Sequence, residues 1–425
     1  MRNLLLRLRN EPSVLIKNAS WLLSVEGIAK VSRIVTILCM TAFLSPAEYG
    51  IAILAVAFHD LFRLLMRSGT GNQVIQCEEH NLRSYAQNAA SLQWAFCLGI
   101  ACLQFFSGTL LADIYDKPEL EPLLQIMSIS YLLYPWVSIR VYLLHRANKM
   151  RYFSLSNGVC IIAENLSIAL LLWADFGITA VAISKLVFSS LWLILFFRVP
   201  DGGFGMRWQP KVIRQLFSNS ANILGGELAK AGRHHADTFI AGRLLSPDMF
   251  GLYAFAKNAG VGLSQSLINA YNGALFPYLS ELNRNPQDTS SKRTVWMLAL
   301  GLSAIFILQS VMVPVYVPLL FNEVWHSAVL IVSILCLTAI PNLYLDTLCC
   351  YMRAGGLFLK EFVIRLVNLV AFIVLLLIVP TDSPMDFAIA VCIASCIWLV
   401  PMAFIFINRN YFKSNSGTTP DRSKS

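Results

Sequence analysis

Apolar residues run along this chain in blocks of about twenty, each closed by a short polar stretch. Leu366–Val379, Phe387–Ile407 and Val295–Pro314 contain no charged residue at all. About 20 apolar residues are what a ~30 Å hydrocarbon layer requires of a helix. In lipid the backbone has only its own groups as hydrogen-bond partners, and the blocks are too long for barrel strands, so the pattern predicts helices. Twelve are expected, near residues 18–43, 47–66, 88–111, 123–144, 152–173, 178–197, 216–242, 250–279, 294–321, 327–352, 362–379 and 387–407.

A second pattern lies over the first. "LSPAEYG", Leu44–Gly50, returns 201 positions later as "LSPDMFG", Leu245–Gly251. At the same offset Asn18 meets Asn219, Leu23 meets Leu224 and Glu26 meets Glu227. "HRANKM" (His145–Met150) and "MRAGGL" (Met352–Leu357) each follow the fourth predicted span of their half. The chain therefore reads as an internal duplication. Its expected organisation is a terminal segment 1–17, a six-helix lobe 18–197, a linker 198–215, a second lobe 216–407 and a tail 408–425. Six spans between copies give both the same orientation, which relates them by an axis along the membrane normal. The heptapeptide itself reads as a tight turn, with Pro opening the next helix and Glu48 or Asp248 near its positive end.

Composition agrees: 56% of residues are hydrophobic, 13% are charged and the mean hydropathy is +0.61. The net charge of +9 is mainly a topology signal. Twenty-two of the 33 Lys and Arg residues fall in the termini and the even-numbered connections, while the opposite connections hold only Lys117 and Arg243 beside ten carboxylates. That asymmetry predicts cytoplasmic N- and C-termini and argues against nucleic acid as a partner.

"SPAEYGIAILAVAF", "RSGTGNQVIQ", "ALFPYLSEL" (Ala274–Leu282) and "MRAGG" (Met352–Gly356) resemble the polysaccharide-exporter and O-antigen flippase branch of the multidrug/oligosaccharidyl-lipid/polysaccharide (MOP) superfamily. The resemblance implies an all-α integral membrane protein of two six-helix lobes around a cavity that opens alternately to either side, a MATE/MOP-like fold. It also implies a bacterial inner-membrane location and, as substrate, an oligosaccharide on a polyprenyl diphosphate carrier. Membrane lipid, a polysaccharide polymerase and chain-length machinery are the implied partners.

Charges inside predicted spans are the candidate chemistry. Each costs roughly 2.5–3.5 kcal/mol on insertion scales, so such charges belong in a bundle interior or a watery cavity. Glu26, Lys30 and Arg33 share one face of the first helix; Glu227, Lys230, His234 and Asp237 form a similar stripe in the seventh, with Arg233 beside it. Lys30, Arg33, Lys230, Arg233 and Lys257 are the expected diphosphate ligands, Arg offering a fork and Lys a point charge. Glu26, Asp60, Glu164, Glu227, Asp237 and Asp346 are expected either to couple transport to an ion or to neutralise neighbouring cations. Pro341 is expected to break the tenth helix near Asp346, freeing carbonyls for a cation, or simply to kink it against Arg365.

Other chemistry is sparse. No Gly-Lys dipeptide occurs, so no Walker A loop is expected, and no cofactor or metal is called for. The ten cysteines lie mostly within spans without a CxxC pair, as small apolar fillers. Two rival readings remain. A drug or cation extruder on the same fold would favour an acidic or apolar cavity. A glycan polymerase or acyltransferase would need a larger external loop than any in this chain.

Overall fold

The computed structural model describes residues 31–66, 70–147, 149–284, 290–379 and 383–399, together with Gly27 and Ala29. Among them regular structure is helical, with no strand. Chain order gives α1 (Val31–Phe43), α2 (Pro46–Met66), α3 (Thr70–Gln76), α4 (Glu79–Tyr115), α5 (Leu120–Ser128), α6 (Pro135–Arg146), α7 (Met150–Trp173) and α8 (Thr179–Phe197). Then follow α9 (Pro210–Leu244), α10 (Pro247–Arg284), α11 (Ser290–Leu320), α12 (Val329–Leu337), α13 (Ala339–Ala354), α14 (Phe358–Ile378) and α15 (Pro384–Cys396). Among the described residues seven helical segments are long and apolar enough to cross a membrane, and eight if the bent α5–α6 pair is one span. The predicted first and twelfth spans extend beyond the described residues.

The chain packs as two compact units, Met1–Phe255 with Tyr316–Ala328, and Ala256–Val315 with Val329–Ser425. In the first, α4 is a 37-residue strut, about 55 Å long at ~1.5 Å per residue. Leu82, Ala86, Ala89 and Leu92 on one of its faces pack against Val74, Ile139 and Leu216. Farther along, Cys97, Ile100 and Ala101 meet Tyr131, Tyr134, Cys160 and Phe188. In the second unit Ile268 of α10 is buried with Ala299, Phe306, Ala339 and Leu343, and Leu275 and Leu279 with Val295 and Cys350. Large apolar side chains such as Phe106, Leu308 and Ile378 are left exposed on α4, α11 and α14, as lipid-facing surfaces require.

The repeated heptapeptides take the same local form. In each, the Leu amide closes the preceding helix (Leu44 to Met40 O, 2.9 Å; Leu245 to Ala241 O, 3.0 Å) and the aromatic amide opens the next (Tyr49 to Ser45 O, 2.9 Å; Phe250 to Ser246 O, 2.8 Å). Ser45 and Glu48 form a capping box, the Ser45 amide donating to Glu48 Oε2 at 2.9 Å. These segments do more than turn the chain. A Cβ on Gly251 would stand 1.7 Å from the Pro46 carbonyl oxygen, and one on Gly50 would stand 2.8 Å from the Phe250 ring. The two copies pack backbone to backbone, and only glycine leaves room for it.

The fourth span of the first half is sharply bent, whereas that of the second, Glu323–Ala354, stays one span with a single non-helical residue at Thr338. In the first half, Leu120–Leu132 and Pro135–Arg146 meet at 57°. In the second, α12 stops at Leu337 and α13 restarts at Ala339, with Pro341 in its first turn. Proline clashes with the carbonyl four residues back, here Leu337, which places the break just before it. The two arginines of the "HRANKM" and "MRAGGL" segments sit equivalently at the helix ends. Arg146 donates to Cys77 O (2.6 Å) and Glu79 (2.7 Å), and Arg353 to Glu361 (2.6 and 3.0 Å).

Candidate functional site

Three of the carboxylates named from sequence pair with cations, two of them in buried pairs. Asp60 pairs with Arg63 one turn on, at 3.2 Å. Glu164 of α7 pairs with Lys185 of α8 at 2.7 Å, both side chains mostly buried. Asp346 of α13 accepts from Arg365 of α14 at 2.9 Å and from the Asn272 amide of α10 at 3.0 Å. Arg365 also reaches Glu361 at 3.1 Å, and Glu361 in turn holds Arg353, so Asp346 ends a four-member chain of alternating charge. Asp237, buried in α9, accepts the Tyr253 hydroxyl at 2.5 Å.

The cations are distributed differently. Arg33 is exposed on α1 and Lys230 half-buried on α9; neither makes an ion pair among the described residues. Glu227 is exposed and does not pair with Lys230. Arg233 and Lys257 are half-buried. Glu26 and Lys30 lie outside the described residues.

Several polar contacts escaped the sequence reading. The Asn165 amide donates to Ser32 Oγ at 2.7 Å and the Asn165 carbonyl accepts from Thr36 at 3.3 Å, docking α1 on α7 immediately beside Arg33. Buried His59 is held by Gln104 (3.2 Å) and by the Tyr131 hydroxyl (3.0 Å), while that hydroxyl is also 2.8 Å from Gln104. Lys117, in the α4–α5 turn, donates to the Gly242 carbonyl at 2.8 Å and lies over the Phe250 ring, 5.6 Å from its centre. Beside it Arg243 reaches Asp116 at 3.1 Å. Sequence spacing alone offers no signal for contacts such as Lys117–Gly242, which are 125 residues apart. Among the described residues no group of three or more His, Cys, Asp and Glu side chains is placed to hold a metal.

Long apolar helices, a duplicated turn packed on its own copy and charges held in interior pairs define a polytopic helical membrane protein with two related halves. The chain belongs to the polysaccharide biosynthesis protein family, whose sequence pattern it matches over residues 39–330. Its fold is that of MOP-superfamily transporters. An inward-facing multidrug resistance MATE transporter superposes with a TM-score of 0.72 at 10% identity, over 94% of this chain and 100% of that one. The lipid II flippase MurJ, inward closed, gives 0.67 at 15% identity, over 90% and 87%. A Vibrio cholerae MATE transporter gives 0.59 at 14% identity, over 94% and 98%. No curated protein matches the sequence significantly.

Proposed function

We propose that the protein is a flippase of the bacterial inner membrane that carries polyprenyl-diphosphate-linked oligosaccharides from the cytoplasmic to the outer leaflet, by alternating access, for assembly of a surface polysaccharide such as O-antigen or capsule. The observation that carries this reading is the unequal use of interior charge. Asp60, Glu164 and Asp346 are each matched by a cation of the protein, whereas Arg33 and Lys230 have no carboxylate among the described residues. Cations kept in a membrane segment against a cost of ~2.5–3.5 kcal/mol each need an anion from elsewhere, and a diphosphate supplies one. Family membership supports a polysaccharide substrate, and the fold supports transport rather than an enzymatic step. Arg233 is assigned to the same role, and Lys257, in the second unit, is a further candidate diphosphate ligand. Asp237 and the paired carboxylates are assigned to structure or ion coupling. A polymerase and chain-length machinery would take up the product outside.

The test uses a strain lacking the gene. Complete lipid-linked repeat units should accumulate on the cytoplasmic face. Wild type should clear them, and an Arg33→Ala/Lys230→Ala variant expressed at wild-type level should not. Accumulation on the outer face would overturn the reading in favour of a later enzyme. No accumulation, with changed resistance to cationic dyes, would overturn it in favour of a drug extruder.

A further inference from the structure

α10 is the longest helix described, at 38 residues, yet it and the 35-residue α9 are not among the described helices apolar enough to count as membrane-crossing by composition. Its residues sort by angle, at ~100° per residue. One side, Ser264, Ile268, Leu275 and Leu279, is buried in the second unit. Another carries the exposed large side chains Leu267 and Tyr278, suited to hydrocarbon. Beside the buried side, over residues 262–273, runs a strip of Gly262, Gln265, Asn269, Asn272 and Gly273, spaced i, i+3, i+7, i+10, i+11, which Phe276 closes one turn on.

Two features of this strip bear on what it could hold. Gln265 Nε2 donates to Asn269 Oδ1 at 3.1 Å, leaving Gln265 Oε1 as an acceptor and Asn269 Nδ2 as a donor without partners among the described residues. Asn269 is exposed, and an unpaired amide against hydrocarbon costs several kcal/mol, so this strip faces water. Furthermore, a Cβ added at Gly262 or Gly273 would meet nothing within 4 Å. Glycine inside a helix is unfavourable by ~1 kcal/mol relative to alanine, and here no close packing explains it. Asn272, at the edge of the strip, is fixed by Asp346 and hence by Arg365 and Glu361, which anchors the surface to a rigid charged network.

We propose that this strip is a saccharide-binding surface, with the Gln265–Asn269 pair reading neighbouring hydroxyls of the glycan and the two glycines leaving room for the sugar rings. Paired amides suit this ligand because a sugar hydroxyl both donates and accepts, and the pair presents one free acceptor and one free donor side by side. Neutral amides also differ in chemistry from the cations assigned to the diphosphate. The inference rests on the flippase reading and divides its substrate into two recognised parts.

The experiment measures binding of two probes to the purified full chain in nanodiscs: sugar-free polyprenyl diphosphate, and the lipid-linked saccharide pool extracted from a strain lacking the gene. Wild type is expected to bind the saccharide-linked probe more tightly. Gln265→Leu/Asn269→Leu should weaken that probe alone, by about tenfold for two lost neutral hydrogen-bonding groups. Gly262→Leu, which fills the open space, should act in the same direction, with both variants melting near wild type. Equal wild-type affinity for the two probes, or an equal loss of both in the variants, overturns the saccharide surface while leaving the flippase reading intact. A wild-type protein that binds neither probe overturns both.

Discussion

Glu164 and Lys185 lie 2.7 Å apart with little solvent around either side chain, and Asp346 and Arg365 repeat the arrangement at 2.9 Å. Removing one partner of such a pair strands a buried charge, at a cost of ~3–5 kcal/mol, so these four residues are held in place whatever else they do. Lys117 differs because its partner is a carbonyl and an aromatic face. It lies outside the spans, and burial lowers its pKa from the usual lysine value, with nearby Asp116 partly opposing that shift. In the unfolded chain the group titrates near 10.4, so between the lowered folded value and that value the unfolded state binds more protons. Stability should therefore rise as pH climbs through this window and level off above it. Melting temperatures of the detergent-solubilised protein between pH 8 and 10.5 should show the rise, and Lys117→Met should flatten it. An unchanged slope in the variant would show that Lys117 is not its source.

At the scale of elements, the contact between α2 and α10 is set by two glycines. Gly251→Ala puts a methyl group inside bonding distance of the Pro46 carbonyl, and two helix starts would have to move apart. The expected cost exceeds about 3 kcal/mol, the upper range for overpacking, because backbone rather than a flexible side chain is in the way. Folded yield, read by size-exclusion of a fluorescent fusion, should collapse. Gly301→Ala in α11 is the control, since its Cβ would meet nothing within 4 Å and helix propensity favours alanine. Element positions were the most legible part of the sequence, because hydrocarbon demands a length and a composition that blocks of twenty apolar residues announce directly. The repeat was legible too, but its role was not: "LSPxxxG" read as a turn, whereas the glycine is needed for contact with the other copy of the heptapeptide. In the candidate site, intramembrane charges were legible as a set, and their partners were not. Pairs such as Glu164–Lys185 depend on which faces neighbouring helices present, and a span that is apolar all round carries little rotational signal.

For the whole molecule, the proposed alternating access would require contacts between the duplicated halves to form and break. The Asp116–Arg243 ion pair and the Lys117–Gly242 hydrogen bond join the α4–α5 turn of the first sequence repeat to the end of α9 in the second, both inside the first compact unit. Both are placed at connections that the charge pattern assigns to the outer side. Arg243 and Asp116 are exposed, so their pair is worth at most ~1 kcal/mol, too weak by itself to hold the contact closed. A disulfide in the same place would not open. Asp116→Cys/Arg243→Cys, oxidised in membranes, should stop clearance of cytoplasmic-face lipid-linked saccharide while leaving the protein folded and able to bind polyprenyl diphosphate. Reduction should restore transport, and neither single-cysteine variant should respond to oxidant. If the cross-linked protein transports at the wild-type rate, this contact stays closed throughout the cycle, and the moving boundary between the halves lies elsewhere.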